Sequence, residues 1–167
     1  MDLAITPLGK QHERKTFECG EASLKLYLHR YANQDIRRRI TRVFVASPPS
    51  EPNRMIGYYS LSAGSLSAAD LPENFRRRLA AYPVPVALLA RLAVDTSCQG
   101  QGLGAILIAD ALQRIALASQ VIAVHAVVVD VLNEGAAGFY RQFGFTGPPS
   151  QPLRLFLPMD TVTTTVD

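Results

Sequence analysis

The chain has 167 residues, of which 48% are hydrophobic and 19% charged, a composition typical of a globular domain. No apolar run approaches the ~20 residues of a membrane span, and the first residues lack the pattern of a secretory leader. The two cysteines and three scattered histidines argue against a disulfide framework and a metal site. We therefore expect a single cytoplasmic domain over 1–167, without a metal or a membrane partner, whose tail frays from about residue 160.

The N-terminal half predicts a strand, a helix and a hairpin. Residues 2–8 are typical of a strand, and apolar residues at helical spacing predict one amphipathic helix, or two, over 19–39. The β-branched and aromatic stretches 40–46 and 54–68 predict two strands joined by the proline-rich turn 47–53.

The C-terminal half predicts alternating strands and helices. A surface excursion with a short helix at 67–85 leads to a strand at 86–95 and a helix at 103–118. A strand, a short helix and a last strand follow at 121–132, 133–143 and 152–159. This order predicts one α/β domain with a mixed sheet.

The stretch CQGQGLG (98–104) joins the predicted strand 86–95 to the predicted helix 103–118. Such a loop forms a phosphate cradle, because its N–H groups and those of the first helical turn converge where the helix dipole favours an anion. Glycine permits positive φ and a close approach of the ligand to the backbone. We expect Gly100, Gly102 and Gly104 to lie against the phosphates of a ligand.

Two common phosphate loops fit this stretch poorly. A nucleotide-triphosphate loop ends in Lys-Ser/Thr, and the chain has no lysine after Lys25. The dinucleotide fingerprint is matched by Gly100, Gly102 and Ala105, but Gln120 stands where an acidic ribose ligand is expected. Too little chain follows the loop to complete a doubly wound sheet.

Gln99, Gly102 and Gly104 instead resemble the acetyl-CoA loop of the GNAT superfamily, Q/R-x-x-G-x-G/A. The run from Asn133 through Phe139-Tyr140 to the ending FGF (143–145) resembles a later motif of the same family. This resemblance implies an α/β (α+β) GNAT fold, with a mixed central sheet that splays at an acetyl-CoA cleft and is flanked by helices.

The same resemblance implies the site residues. Tyr140 stands where the family has a tyrosine that serves as general acid to the leaving thiolate, and the strand LLARLAVD (88–95) resembles the one that offers backbone groups to the pantetheine arm. The residues implied to bind acetyl-CoA are Leu92, Ala93, Val94, Gln99, Gly100, Gln101, Gly102, Leu103, Gly104, Ala105, Asn133 and Phe139.

Arginines are clustered at two places. Arginine outnumbers lysine fourteen to three, with five arginines within 30–42 and three within 76–78. Because guanidinium groups suit bidentate contacts with phosphates, these clusters indicate a polyanionic partner. The arginines we nominate for tRNA contact are Arg37, Arg38, Arg77, Arg78 and Arg91.

Residues 12–45 resemble the opening of GNAT toxins from bacterial type II toxin–antitoxin modules, the TacT-like group. The matching residues are His12, Arg14, Phe17, Cys19-Gly20, Tyr27-Leu28 and Gln34-Asp35. The resemblance implies acetylation of the free α-amino group of an aminoacyl-tRNA, which stops translation, a ribbon-helix-helix antitoxin as partner, and a homodimer. For His12, Arg14 and Cys19 we expect packing or capping of the first helix rather than catalysis.

Two other functions stay open. The chain has no acidic cluster that would suit a small cationic substrate, but acetylation of protein N-termini, again at an α-amine, remains an alternative to acetylation of tRNA. A non-catalytic nucleic-acid-binding module that retains an acetyl-CoA loop is a third possibility, against which Tyr140 argues.

Overall fold

The computed structural model describes residues 2–73 and 83–166 and contains, within them, six strands in one sheet in the order β1-β2-β3-β4-β5-β6. The strands are β1 (Ala4–Pro7), β2 (Arg42–Ser47), β3 (Gly57–Leu66), β4 (Val84–Val94), β5 (Ala126–Asp130) and β6 (Arg154–Pro158). The described α-helices are α1 (Ala22–Leu26), α2 (Ala32–Arg37), α3 (Leu103–Ala118), α4 (Glu134–Arg141) and α5 (Met159–Val166). None of them is long and apolar enough to cross a membrane.

The sheet is mixed, as the sequence predicts. The pairs β1–β2, β2–β3 and β5–β6 are antiparallel, whereas β4 and β5 are parallel. The predicted hairpin over 40–68 is confirmed by the register of β2 and β3, in which Phe44 pairs with Tyr59. The parallel pair follows from the crossover through α3, since a parallel connection needs a long segment to return to the same end of the sheet.

The chain forms two compact units. The first comprises Met1–Ser62 and Ala90–Leu112, and the second comprises Ala63–Leu89 and Gln113–Asp167. The first unit therefore holds β1, β2, α1, α2, the end of β4 and the start of α3, whereas the second holds β5, β6, α4 and α5.

The core of the first unit joins its sheet to the helical stretch 22–37. A π-helical turn at Tyr27–Tyr31 separates α1 from α2, so that the stretch predicted as one or two amphipathic helices is continuous helix with a widened turn. The buried residues of this core are Phe17, Cys19, Tyr27, Leu28, Ala32, Val43, Val45, Met55, Tyr58 and Ala93. Packing of this stretch against the sheet places the N-terminal segment beside the end of β4.

The core of the second unit is built around β5. The residues Ala126, Val127, Val128 and Val129 are each at most 1% exposed, and β5 pairs with β4 on one edge and β6 on the other. A strand covered on both faces is a continuous apolar run rather than an alternating one. This burial explains why residues 126–129 are all apolar.

The strand predicted at 121–132 is shorter than its apolar run. Only Ala126–Asp130 is extended, while Val121 is 88% exposed and Ile122 72% exposed. Both residues donate their N–H groups to the carbonyl of Ala118, so they belong to the turn that ends α3. An apolar run does not by itself define where a strand begins.

The tail predicted to fray from about residue 160 is helical instead. Helix α5 spans Met159–Val166, and Val162 is fully buried. Threonine and valine have low helix propensity, but burial of an apolar side chain outweighs propensity in a short helix. In the excursion predicted at 67–85, one 3₁₀ turn forms at Ala68–Asp70, and residues 74–82 lie outside the described residues.

Candidate functional site

The glycine loop connects the end of β4 to α3 within the first unit. Gly100 has a φ of 77° and Gly102 a φ of 83°, and a Cβ added at either would meet no atom within 4 Å. Glycine is therefore required there by backbone conformation rather than by lack of space. The third glycine, Gly104, lies inside α3 and is not among the glycines with positive φ.

The start of α3 supplies backbone donors. Leu103, the first helical residue, is 1% exposed and anchors the helix in the core, whereas Gln101 and Gly102 are exposed before it. The N–H groups of a first helical turn have no carbonyl partner within their helix, and the dipole of the 16-residue helix favours an anion at that end. The loop and α3 together thus have the chemistry of a phosphate site.

The side chain of Gln99 holds the loop in place. Its Nε2 donates to the carbonyl oxygens of Cys19 and Val94, each at 3.0 Å. Both amide hydrogens are thereby used inside the protein. Gln99, nominated from the sequence as a ligand of acetyl-CoA, is placed by these contacts as a residue that positions the loop.

Asp95 is a positioning residue that sequence reasoning missed. Its carboxylate accepts the N–H of Glu18 at 2.9 Å and the N–H of Ser97 at 3.1 Å, and Thr96 donates back to the carbonyl of Glu18 at 2.7 Å. Burial raises the pKa of Asp95, but the hydrogen bonds from Ser97 and Glu18 together lower it by more. The pKa of Asp95 therefore lies below its ordinary value. The D-x-S pattern of a capping residue was the available signal.

The nominated residues of β4 lead directly into this loop. Ala93 is 4% exposed and part of the core of the first unit, while Leu92 and Val94 are half-buried. The carbonyl of Val94 is occupied by Gln99. The first unit thus brings together the nominated residues 92–94 and 99–105.

The remaining nominated residues lie in the second unit, on or beside α4. Asn133 caps this helix, since its Oδ1 accepts the N–H of Ala136 at 2.9 Å. The ring centroids of Phe139 and Tyr140 are 5.5 Å apart in an edge contact, and Tyr140 makes a second edge contact with Phe145 at 5.5 Å. These contacts fix the ring of Tyr140 on the helix.

The hydroxyl of Tyr140 is held in its protonated form. Tyr140 is 7% exposed, and burial raises the pKa of its hydroxyl well above the ordinary value. Among the residues that the structure describes, none hydrogen-bonds this hydroxyl. The group is therefore a proton donor at neutral pH that has no structural partner in the described part of the chain.

The nominated arginines differ in their surroundings. Arg37 and Arg38 are exposed at the end of α2, whereas Arg91 is half-buried, with its guanidinium carbon 3.4 Å from the ring centroid of Tyr27. Arg91 also donates to the hydroxyl of Ser60 at 3.5 Å. Arg77 and Arg78 lie outside the described residues.

No group of three or more histidine, cysteine, aspartate or glutamate side chains within 2–73 and 83–166 has an arrangement that could hold a metal ion.

Known proteins resemble this chain over nearly its whole length. The family of acetyltransferase (GNAT) domains matches residues 39–147. A tRNA-acetylating toxin of Mycobacterium tuberculosis is 40% identical over 144 residues, which cover 86% of this chain and 84% of that protein.

Two solved structures are similar in both fold and sequence. AtaT complexed with acetyl-methionyl-tRNAfMet has a TM-score of 0.89 and 30% identity, and the match covers 99% of this chain and 100% of that one. A tyrosine-to-phenylalanine mutant of AtaT, bound to the C-terminus of the antitoxin AtaR and acetyl-CoA, has a TM-score of 0.82 and 30% identity, with coverage of 99% and 98%.

Proposed function

Since this chain belongs to the GNAT acetyltransferase family, among the tRNA-acetylating toxins, we propose that it acetylates the free α-amino group of an aminoacyl-tRNA and thereby blocks translation. It is an acetyl-CoA-dependent enzyme that acts on tRNA and is neutralised by an antitoxin. The observation that carries the proposal is the glycine loop at the start of α3, with positive φ at Gly100 and Gly102. That loop lies in a chain that is similar over nearly its full length to AtaT, whose structure is a complex with acetyl-methionyl-tRNAfMet.

The donor half of the site fits acetyl-CoA. The backbone at 100–105 supplies N–H groups for the pyrophosphate, and open space lies beside Gly100 and Gly102 where side chains would otherwise stand. Gln99 and Asp95 hold this backbone against the segment at Glu18 and Cys19. The cradle is therefore preorganised by bonds that do not involve the ligand.

The transfer forms one bond and breaks another. The amine nitrogen attacks the thioester carbonyl carbon, the new C–N bond forms, and the C–S bond breaks to leave a thiolate. We assign Tyr140 as the group that protonates this thiolate, because its hydroxyl is protonated at neutral pH and has no structural partner among the described residues. The amine loses a proton to water as the amide forms.

An α-amine needs no strong base on the enzyme. Its pKa is about 7.7–8.0, so roughly a tenth or more is neutral near pH 7, whereas a lysine amine with a pKa of about 10.4 is almost fully charged. We therefore expect the enzyme to prefer α-amines over lysine side chains, and its rate to rise between about pH 6 and pH 8 as the substrate amine loses its proton.

The finer identity of the partners is part of the proposal. The antitoxin AtaR binds AtaT through its C-terminus. We propose that a ribbon-helix-helix antitoxin binds and neutralises this chain. We also propose a homodimer and, because charged tRNA is the substrate, a cytoplasmic location. Arg37, Arg38, Arg77, Arg78 and Arg91 are the arginines we assign to tRNA contact.

The test is transfer of radiolabelled acetyl from acetyl-CoA to total charged tRNA, with deacylated tRNA as the control. Label found only in the charged pool, and released by mild alkaline hydrolysis of the aminoacyl ester, is the expected result. Label in peptide N-termini or lysine side chains, with none in charged tRNA, would contradict the proposal.

A further inference from the structure

A cavity of about 510 Å³ lies in the first unit, away from the glycine loop in sequence. Its lining is largely carbon, with polar groups interspersed. The residues that line it are His12, Glu13, Arg14, Lys15, Thr16 and His29. The volume lies in the range of pockets that bind small organic groups.

His12 is a buried donor on the wall of this cavity. It is 5% exposed, and its Nδ1 accepts the N–H of Gly9 at 3.0 Å. Burial lowers the pKa of its ring, which favours the neutral form. With Nδ1 accepting, the remaining proton sits on Nε2, for which the described residues provide no acceptor.

Arg14 is a half-buried cation without a carboxylate partner among the described residues. Its Nη1 donates to the carbonyl of Leu28 at 3.3 Å, and burial lowers the pKa of its guanidinium. A partly desolvated charge of this kind is stabilised by an anion placed against it. Lys15, exposed beside it, adds a second positive charge, against the single carboxylate of Glu13.

We propose that this cavity binds one unpaired nucleotide of the RNA substrate, with the base stacked on the guanidinium of Arg14 and the ring of His29, a hydrogen bond to the base from Nε2 of His12, and a phosphate at Arg14 and Lys15. Bases of single-stranded RNA stack on histidine rings and guanidinium planes, and arginine and lysine hold the phosphates. The inference rests on the proposed function, because it assigns a further binding site for the same tRNA.

The cavity is connected to the donor loop by a short, hydrogen-bonded segment. Residues 12–16 continue through Phe17, which is fully buried, into Glu18 and Cys19. Glu18 and Cys19 are the residues bonded to Asp95, Thr96 and Gln99 at the base of the glycine loop. A nucleotide held in the cavity would therefore be bound by the same segment that is hydrogen-bonded to the base of the glycine loop, which would restrict the motion of the single-stranded acceptor end.

The experiment compares two fluorescent RNA hairpins that share one stem. One ends in unpaired 3′ nucleotides and the other is blunt, and anisotropy titrations give the affinity of each. The wild type should prefer the tailed hairpin by about tenfold. Arg14→Gln combined with Lys15→Gln should abolish that preference and lower the slope of log affinity against log salt by about 0.7 for each phosphate that the variant no longer neutralises.

Lys10→Gln is the matched control for Lys15→Gln alone, because each removes one positive charge from an exposed lysine of the same segment, and Lys10 lies outside the cavity. It should retain the preference for the tailed hairpin. Arg14→Lys, which keeps the charge but loses the planar fork, should reduce the preference while leaving the salt slope unchanged. If the double variant is unstable, Arg14→Lys and the single variant Lys15→Gln are used for the test instead.

Equal loss of affinity for both hairpins, or no preference in the wild type, would overturn the cavity assignment. Transfer of labelled acetyl to charged tRNA by the wild type is measured in parallel. Absence of transfer refutes the proposed function, whereas normal transfer without a preference for the tail refutes only this inference.

Discussion

The ring and the hydroxyl of Tyr140 have different roles. The ring packs against Phe139 and Phe145, while the hydroxyl forms no hydrogen bond with the described residues. Asp95 is the opposite case, since its carboxylate accepts hydrogen bonds from the backbone N–H groups of Glu18 and Ser97. At the scale of single residues, the two groups are therefore expected to respond differently to substitution.

Tyr140→Phe should lower kcat by about 10²- to 10⁴-fold, the usual contribution of a positioned general acid. The free energy of unfolding should change by less than about 0.5 kcal/mol, because the ring and its edge contacts are retained. Acetyl transfer and urea unfolding measure the two effects. Tyr31→Phe, at a tyrosine that is 48% exposed, is the control and should change neither. An unchanged kcat would remove Tyr140 from the mechanism.

Asp95→Asn should raise the KM for acetyl-CoA more than it lowers kcat, because the loop that we propose to bind acetyl-CoA loses a hydrogen-bonding anchor. Asparagine keeps an acceptor oxygen at this position but loses the negative charge that strengthens the hydrogen bonds from Glu18 and Ser97. Since the pKa of Asp95 is lowered on folding, its ionised form stabilises the protein above the unfolded pKa of about 3.9, and that stabilisation is lost as the pH falls through the folded pKa.

The stability difference between wild type and Asp95→Asn should accordingly be greater at pH 7 than below about pH 4. Chemical unfolding at several pH values measures it. Asp2→Asn, the same change at an exposed carboxylate, serves as the control. A difference that stays constant down to about pH 3 would show that charge is not what Asp95 contributes.

At the scale of elements, the end of α2 is unusual. Arg39 has a φ of 60° and is the non-glycine residue with positive φ in the described chain. The N–H of Ile40 bonds to the carbonyl of Asp35, and the N–H of Arg39 bonds to that of Ile36. This is the Schellman pattern, whose left-handed position is usually glycine. An arginine there costs stability and projects a charge beside Arg37 and Arg38.

Arg39→Gly should stabilise the fold by about 0.5–1 kcal/mol, because glycine adopts the left-handed conformation without strain. Arg38→Gly is the matched control: it removes the same charge at a residue with a φ of −80°, where glycine should destabilise by a similar amount. Thermal unfolding of both variants measures the effect. Destabilisation of equal size in both would show that the left-handed conformation carries no strain.

At the scale of the whole molecule, the distribution of charge matters more than the net charge of +3. The exposed arginines at the end of α2 lie in the first unit, as do the glycine loop and the cavity at 12–16. Each such arginine that contacts an RNA phosphate releases a counterion on binding. The affinity for tRNA should therefore depend on salt much more than the affinity for acetyl-CoA.

Arg37→Glu and Arg38→Glu should each weaken tRNA binding and leave acetyl-CoA binding unchanged. The salt slope should fall by about 0.7–0.9 for each phosphate that is no longer neutralised. Lys10→Glu, the same charge change elsewhere in the first unit, is the control. Binding titrations at several salt concentrations measure the slopes, and equal losses of affinity for tRNA and acetyl-CoA would refute the assignment of these arginines.

Most elements were predictable because they follow from local pattern. Helix α3 begins and ends where its periodicity predicts, at Leu103 and Ala118. The exposed turn at Val121 and Ile122 and the helical tail were not predictable, since each depends on whether distant residues cover an apolar side chain. Val162 is fully buried in a stretch whose own propensity favours disorder.

The sequence by itself predicted the candidate site: the glycines of the loop, the tyrosine on α4 and the arginine clusters. These features can be predicted because a short run of neighbouring residues is enough to favour a backbone conformation or to place a charge. Only the tertiary structure decided how Gln99 and Asp95 act, because Gln99 bonds to a carbonyl 80 residues away and Asp95 to an N–H 77 residues away. Such contacts exist only after the sheet and the helical stretch 22–37 have packed, so no local pattern encodes them.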